Sequence, residues 1–567
     1  MHEWGNTLTG GGFSAKIDDP SSTTLTYWTD KCVQYEWSCL PPSHSQIAQR
    51  TLPRFPYLRC VTSGAYYDFY AYEPNITSKG VPQDILEALA DTMRNGTYQG
   101  APLPVKMLML DAYWMFNVRA NGNCKVNDTV WPLPFPRGLR SLADATGWSL
   151  IIYNGPQCAE STYSSVWPLM YSLHWDQGWG AGTLSAIADS AAEAFYADLF
   201  TRLSAQGMGS FTQDFLDFQG LLFPGWLTSP WGNGRWLAAA ARAAQAAGIA
   251  VQYCMALPSD ILESTQYPAV TNARASDDYG VSGSNWRIGG SSLLLSALGM
   301  RASKDNFATG AATDRGQETS PFLVACVTAL SHGPVGFSDA LFKTNPAVLW
   351  PTMMLNGTIL HASRPATLLD VQFAGVGPLA SGDIRATHSR IGGTSADSLN
   401  FYTVLAALAT PQVIPTYLRV EDLWPAPINP LPDSQNWLLW QFNNSHCARD
   451  GADAAGCVAV LGNASANIPI PSPASHDHVS WELWYAVPLL SSSIALLGEI
   501  GKFVAVSPNR FREVHVTGGS LVVSLAGAPF EHLSVAWLQK NGTTPFFGTI
   551  RSAELTLDAA GELTATL

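Results

Sequence analysis

The sequence predicts a (βα)8 TIM barrel followed by an antiparallel β-sandwich, with a short N-terminal region ahead of both. Three observations predict it. Strand-like and helix-like segments alternate over about 250 residues. Carboxylates recur where strand-like segments end, at Asp111, at Asp214 and at Asp277 and Asp278. After about residue 385 the pattern changes to short alternating runs separated by Gly, Pro and Asn. The chain has 567 residues, more than one compact core organises. The expected division is 1–100, an irregular or β region; 101–380, the barrel; and 381–567, the sandwich.

Taken in order, 105–111 is an apolar run that ends in a carboxylate. Residues 138–146 read as a helix and 149–153 as a strand. Residues 184–206 read as one helix, because Phe195, Leu199 and Leu203 fall on one face and Gly207 ends it. A strand follows at 210–215. An Ala-rich helix at 235–247 stops at Gly248 and leads to a strand at 249–255. Another strand at 269–274 precedes a helix at 286–300, and a further helix covers 321–330. A doubly wound sheet gives the same alternation. Repeated polar residues at strand C-termini favour the barrel, whose sites are assembled from several strand ends. No Gly-rich dinucleotide or phosphate loop follows the first strand. In the C-terminal part, 437–442, 458–461, 481–487, 520–525 and 533–538 read as strands.

Composition narrows the function classes. The net charge of −13 opposes a nucleic-acid partner, whose phosphates it would repel. Residues 484–498 form the most apolar stretch near the C-terminus. They are too short for a membrane span and carry Pro488 and three serines. No Cys/His cluster has zinc-ligand spacing, so no metal is expected. Sequons at Asn75, Asn95, Asn127, Asn356, Asn443, Asn463 and Asn541 suggest a glycoprotein of the secretory route, extracellular or vacuolar/lysosomal. The start shows no basic and apolar leader, so no signal peptide is visible. Cysteine spacing suggests local bridges, Cys32 with Cys39, Cys124 with Cys158 and Cys447 with Cys457. Cys254 and Cys326 lie in apolar runs and read as buried thiols.

Retaining glycoside hydrolysis needs one ionised carboxylate to attack and one protonated carboxyl to feed the leaving oxygen. In a barrel these come from different strand ends. Asp214 stands at one such end and Asp277 and Asp278 at another. Adjacent aspartates also raise one another's pKa, as a general acid requires. The same residues would equally serve as turn caps. Asp111 could be a polar residue of the barrel core, and Trp114 a packing residue. The loop from His174 to Trp179 could line a sugar subsite or simply pack. His332 has no Ser or Cys partner in sequence and reads as a structural histidine.

Several stretches resemble glycoside hydrolase family 36, especially its raffinose-synthase branch. The segment 273–279, ARASDDY, is similar to that family's acid/base motif. Residues 329–339, ALSHGPVGFSD, resemble its ISGGPVYVSD stretch, and 355–360, LNGTIL, its DGSILR stretch. Residues 110–114, LDAYW, are similar to its first-strand element. The segment 481–485, WELWY, with Gly518 and Gly519, echoes its C-terminal β-domain.

The resemblance implies a retaining α-glycosidase, most of all an α-galactosidase, that needs no cofactor. A sugar hydroxyl in place of water would make it a galactosyl transglycosylase, as raffinose synthases are. Asp214 aligns with the nucleophile. Asp277 aligns with the acid/base, because the next position is often Asn in related galactosidases. The sister family of lysosomal-type α-galactosidases spaces Arg and acid one residue further apart, which nominates Asp278 instead. Arg274 would bind hydroxyls near C2, Asp111 those at C4 and C6, and Trp114 would pack on the ring. Two departures stand out. Thr212 occupies the place of a family lysine that holds sugar hydroxyls. The family's large N-terminal β-domain is missing or reduced to residues 1–100. Both motivate a rival expectation, a non-catalytic carbohydrate-binding protein on the same fold.

Overall fold

The computed structural model describes residues 82–567 apart from several loops, among them 111–115, 176–181, 277–278, 280–287, 311–317 and 443–450. Upstream it describes the backbone of three strands, at 25–28, 32–33 and 59–60.

Eight parallel strands form a ring. They are β1 (Leu25–Trp28), β2 (Met107–Leu110), β3 (Ser149–Asn154) and β4 (Met208–Gln213), then β5 (Ala250–Tyr253), β6 (Val270–Arg274), β7 (Arg301–Ser303) and β8 (Val335–Phe337). Each pairs with the next in chain order as far as β7, and β1 pairs with β8. Parallel bridges from Ala302 to His332 and from Phe307 to Phe337 close the ring between β7 and β8. The barrel therefore takes its first strand from residues 25–28, upstream of the start expected at 101. The run ending at Leu110 is its second strand, not its first.

Helices return between the strands: α1 (Pro82–Arg94), α2 (Gly138–Thr146), α3 (Asp189–Ala205), α4 (Gly234–Ala246), α5 (Pro258–Glu263), α6 (Gly289–Ala297), α7 (Pro321–Leu330) and α8 (Pro346–Leu349). The segment expected as one helix at 184–206 is two elements. Residues Gly182–Ile187 form a strand antiparallel to Leu169–Trp175, and α3 begins only at Asp189. The predicted face is real within α3, where Phe195, Leu199 and Leu203 are buried. Gly207 sits at φ 96°, and a Cβ there would come within 2.7 Å of the Ala143 side chain. That turn feeds β4 and admits only glycine without strain. Aromatic edges fill the layer between helix and sheet: Tyr196 meets Trp236 at 5.5 Å, and Phe200 meets Phe211 at 4.9 Å.

The C-terminal part is antiparallel throughout. One sheet runs β9 (Thr367–Leu368), β10 (Asp383–Ile391), β11 (Leu399–Leu408), β14 (Ser480–Pro488), β12 (Trp437–Gln441), β13 (Val458–Leu461). Two three-stranded sheets follow, β15 (Ile494–Glu499) with β18 (His532–Lys540) and β19 (Gly548–Thr556), and β16 (Phe511–Thr517) with β17 (Ser520–Ala526) and β20 (Glu562–Thr566). In β17 Leu521, Val523 and Leu525 are buried, the period-two pattern of a strand with one face inward.

The sandwich grips the barrel through residues 350–361. Lys502 Nζ donates to the carbonyls of Trp350 (2.8 Å) and Met353 (2.7 Å). Ser507 Oγ donates to the His361 carbonyl at 2.7 Å, and Asn509 Nδ2 to that of Ile359 at 2.8 Å. Behind them Arg510 is wholly buried between Glu499 (2.8 Å) and Glu531 (2.6 Å). Glu531 also accepts from the Leu355 and Ala528 amides. Burial pushes the Glu531 carboxyl up, but the hydrogen bond and charge of Arg510 outweigh it and hold it below the usual range.

Cys254 and Cys326 are buried thiols, as expected. Cys39 and Cys447 lie outside the described residues, as do the side chains of Cys32, Cys124 and Cys158, so the expected pairings lie there too. Asn95 and Asn356 are exposed, while the other five sequon asparagines lie outside the described residues. Among the described residues no helix is long and apolar enough to cross a membrane.

Arg510→Met should cost about 3–5 kcal/mol in urea unfolding at neutral pH, because it leaves two carboxylates buried without their counter-charge. The sign of the pH effect follows from linkage. Glu531 has a lowered pKa in the wild-type fold, so its contribution is present above the ordinary carboxyl range and lost as pH falls through the folded value. In the variant, protonation relieves the uncompensated charge. The stability gap between the two chains should therefore narrow towards about pH 4. A gap that is constant with pH would rule out an electrostatic origin.

Candidate functional site

The C-terminal ends of the eight strands open on one face, and the βα loops surround it. Strand register fixes which residues share a level there. Gln213 pairs with Tyr253, Tyr253 with Ala273, and Arg274 with Ser303. Asp214 and Arg274 therefore stand one step beyond paired residues, at the same height, two strands apart.

Asp214 is buried, and backbone contacts fix its place. Its amide donates to the Asn154 carbonyl at the end of β3 (2.8 Å), and the Cys254 amide donates to the Gln213 carbonyl (2.9 Å). Gln213 is itself held by Asn154, whose Nδ2 donates to its Oε1 at 2.8 Å. Phe215 then turns into the left-handed region at φ 55° and donates its amide to Asp214 Oδ1 at 2.7 Å. A phenylalanine in that region is strained, and such strain concentrates at functional sites. Met255, two residues past β5, repeats the feature at φ 48°.

Thr212 lies one layer deeper. Its hydroxyl reaches Gln252 Oε1 at 3.3 Å and lies 3.9 Å from Met109 Sδ, and Gln252 Nε2 donates to Ser303 Oγ at 3.0 Å. This polar layer fills the barrel interior beneath the mouth. Thr212 is 2% exposed, so its side chain belongs to the packed interior.

Arg274 ends β6. Its guanidinium lies 3.7 Å from Asp305, and both side chains are nearly buried. Asp305 follows β7 and ties down the loop that leaves β6. Its Oδ2 accepts the Tyr279 amide at 2.6 Å, its own amide donates to Ser276 Oγ at 2.9 Å, and its Oδ1 accepts from Asn306 Nδ2 at 3.2 Å. Residues 276 and 279 flank the two candidate acids, and both are tied to Asp305, Ser276 through the Asp305 amide and Tyr279 through the Asp305 carboxylate. The Tyr279 hydroxyl donates to Glu318 at 2.6 Å, a second anchor. Lys304 is fully buried between the Tyr279 and Phe307 rings, at 5.1 and 6.0 Å. Burial pushes its ammonium down to about 8, helped by Arg274 and opposed by Asp305 and Glu318. Asp339, just past β8, accepts the Thr309 amide at 2.7 Å and its hydroxyl at 2.8 Å.

Of the residues expected at the site, Asp214, Thr212 and Arg274 are described, and β4 and β6 bring the first and last to one mouth. Asp111, Trp114, Trp179, Asp277 and Asp278 lie outside the described residues. Sequence reasoning missed Lys304, Asp305 and Glu318. The only signal was that Asp305 is a carboxylate shortly after a strand. Asp339 lay within a quoted stretch without a role. His332 sits at the opposite face, ahead of β8. Its ring packs edge-on to His361 at 4.9 Å, and Arg301 Nη1 donates to its carbonyl at 3.1 Å. The structural reading of that histidine holds.

The fold has a counterpart among solved structures. A GH27 β-L-arabinopyranosidase from Geobacillus stearothermophilus superposes with a TM-score of 0.51 at 10% identity, over 84% of this chain and 98% of that one. The chain has the fold of that enzyme. α-Galactosidase I from Mortierella vinacea (12% identity, 71% of this chain and 92% of that, TM-score 0.41) and an α-galactosidase from Saccharomyces cerevisiae (12%, 71% and 93%, 0.40) are also similar. No protein-family model matches the chain. No curated protein matches it either.

Removing the Asp305 carboxylate should loosen the anchored loop. A hydrogen bond to a charged acceptor is worth about 1.5–3 kcal/mol, so amide exchange across residues 276–279 should quicken by roughly 10–100-fold in Asp305→Ala. Asp305→Asn keeps an acceptor for the Tyr279 amide and should show a smaller change. Hydrogen–deuterium exchange with peptide-level mass spectrometry reads both. Equal exchange in all three chains would remove Asp305 as the anchor.

Proposed function

We propose that the chain is a retaining α-glycosidase, of the α-galactosidase type within the family 36 branch, with the barrel mouth as its active site. The observation that carries this reading is Asp214: a buried carboxylate one step beyond β4, held by strained backbone, level with Arg274 on β6. The fold shared with a GH27 glycosidase supports it.

In this reading Asp214 attacks the anomeric carbon, and the C1–oxygen bond to the leaving group breaks as the glycosyl–enzyme ester forms. Asp277 or Asp278 gives its proton to the departing oxygen, then takes one from the incoming water, which releases the sugar and restores Asp214. Retention requires the two carboxyls to be roughly 5–5.5 Å apart. Arg274 binds hydroxyls near C2, Asp111 accepts from those at C4 and C6, Trp114 packs on the ring, and Trp179 lines the sugar subsite. Asp305 is a positioning residue, acting through the loop it anchors. A sugar hydroxyl in place of water gives transglycosylation by the same steps. The chain is further read as a glycoprotein of the secretory route, with Asn95 and Asn356 its accessible sequons.

One observation favours a second reading. Thr212 is buried and hydrogen-bonded to Gln252, so β4 offers no cation to sugar hydroxyls at that position. The alternative is a carbohydrate-binding protein without turnover.

The deciding experiment uses an activated aryl α-galactoside. Asp214→Ala should abolish turnover, and added azide should restore it with inverted stereochemistry, because the small anion attacks where the carboxylate stood. Asp277→Ala and Asp278→Ala, compared across leaving groups, identify the acid: its loss should cost roughly 10²–10⁴-fold on poor leaving groups and far less on good ones. A wild-type chain that binds galactosides but turns over no α-glycoside would establish the second reading and reject the first.

A further inference from the structure

A second cavity lies far from the mouth. It sits between α6 and the first strands of the large C-terminal sheet, and has a volume of about 230 Å³. Its barrel wall is Leu293, Ser296 and Ala297, the C-terminal half of α6. Barrel helices run antiparallel to their strands, so this half of α6 lies towards the N-terminal face, opposite Asp214. The cavity is smaller than the roughly 300–1,000 Å³ of sites for drug-sized ligands. It suits one ring of a ligand rather than a chain.

Its chemistry is mixed in a particular way. Trp424 is 56% exposed even with the Arg364 guanidinium stacked 4.3 Å from its ring. A large aromatic left this open at a cavity rim is a platform for an apolar ring face. Arg364 stands at the exposed rim of the cavity. Among the described residues no carboxylate pairs with it. Asp370 and Asp422 line the same cavity and bring acceptors. The His388 ring stands edge-on to Trp424 at 6.0 Å. Burial, then Arg364 and Arg390, push it down to about 4, so it is neutral at ordinary pH.

Each ligand class can be weighed against these groups. An anion would meet two carboxylates. A cation would meet the Arg364 guanidinium. A neutral polyol meets neither penalty, because each hydroxyl both donates and accepts, and its C–H face covers the tryptophan. We infer that this cavity is a second carbohydrate site that takes one neutral pyranose, with Trp424 as its stacking platform and Arg364, Asp370 and Asp422 as its hydroxyl partners. The inference does not rest on the activity proposed for the mouth.

The test needs a local readout, because the site proposed at the mouth takes sugar in the same titration. The full chain is labelled with fluorotryptophan, and the Trp424 resonance is assigned among the 20 tryptophans by its loss in Trp424→Phe. Methyl α-galactoside, methyl α-glucoside and glucuronate are then titrated separately. A saturable shift of the Trp424 resonance with a neutral pyranoside is expected, unchanged in Asp214→Asn. Asp370→Ala, at an exposed position that should leave folding intact, should weaken that binding about tenfold, the value of a charged hydrogen bond. No saturable shift, a shift with glucuronate alone, or a shift abolished by Asp214→Asn would each overturn the inference. None of these results bears on turnover at the mouth, so the two readings fail separately.

Discussion

The mouth exists because the ring of strands closes. A parallel strand has donors and acceptors along both edges, and an open edge leaves a row of them unpaired. Here β1 resolves this on one side, with Leu25 opposite Val335 and Thr26 opposite Met107, so the first strand lies between the second and the last. Between β7 and β8 the closure is thinner, two bridges with the amides of Phe307 and Ser338 exchanged across it. Once the ring is closed, register cannot slip without turning every inward side chain out. The level shared by Asp214 and Arg274 follows from that constraint, as does the buried interior layer of Thr212, Gln252 and Ser303.

What the sequence disclosed tracks where local signals and tertiary demands agree. The helices Gly138–Thr146 and Pro321–Leu330 were legible to the residue, one ended by Gly147 and the other opened by Pro321. The helix read at 184–206 was not. Its apolar spacing is genuine from Phe195 onward, but 182–187 alternates in a way that also suits a strand, and pairing with Leu169–Trp175 decides it. Strand β1 was missed for a different reason. Its four residues lie far in sequence from both partners, and nothing local marks them as barrel.

The site divides in the same way. A carboxylate at a strand end is a local signal, and Asp214 carried it. The part played by Asp305 is relational: it depends on Ser276 and Tyr279, which reach it across 29 and 26 positions. No periodicity or spacing rule exposes such a contact. Lys304 was hidden similarly, since a lysine in sequence gives no hint that it will be wholly buried between two rings.

The two ends of the barrel solve opposite electrostatic problems. At the N-terminal face Arg301 donates to the His332 carbonyl and lies 3.2 Å from His361 Nδ1, while His361 Nε2 meets the Gly333 carbonyl at 3.0 Å. That geometry requires the proton on Nε2, and burial with the neighbouring guanidinium pushes His361 down to about 3. Burial and the neighbouring guanidinium therefore keep that imidazole neutral, a fixed arrangement that serves packing. A Cβ on Gly333 would come within 2.7 Å of the Ala302 carbonyl, so the chain there cannot shift. At the C-terminal face charges of both signs are gathered instead: Arg274 and Lys304 near Asp305, with Glu318 behind Tyr279. Burying so many ionisable groups costs stability unless each is compensated. Part of the compensation comes from Tyr279, whose amide donates to Asp305 and whose hydroxyl donates to Glu318. Arg510, by contrast, sits at 2.6–2.8 Å from its two glutamates, with their remaining oxygens filled by backbone amides on Glu531. The close pairs secure the joint between domains. At the mouth the spacing is wider, 3.7 Å from Arg274 to Asp305, and there the Asp305 carboxylate also holds the Tyr279 amide.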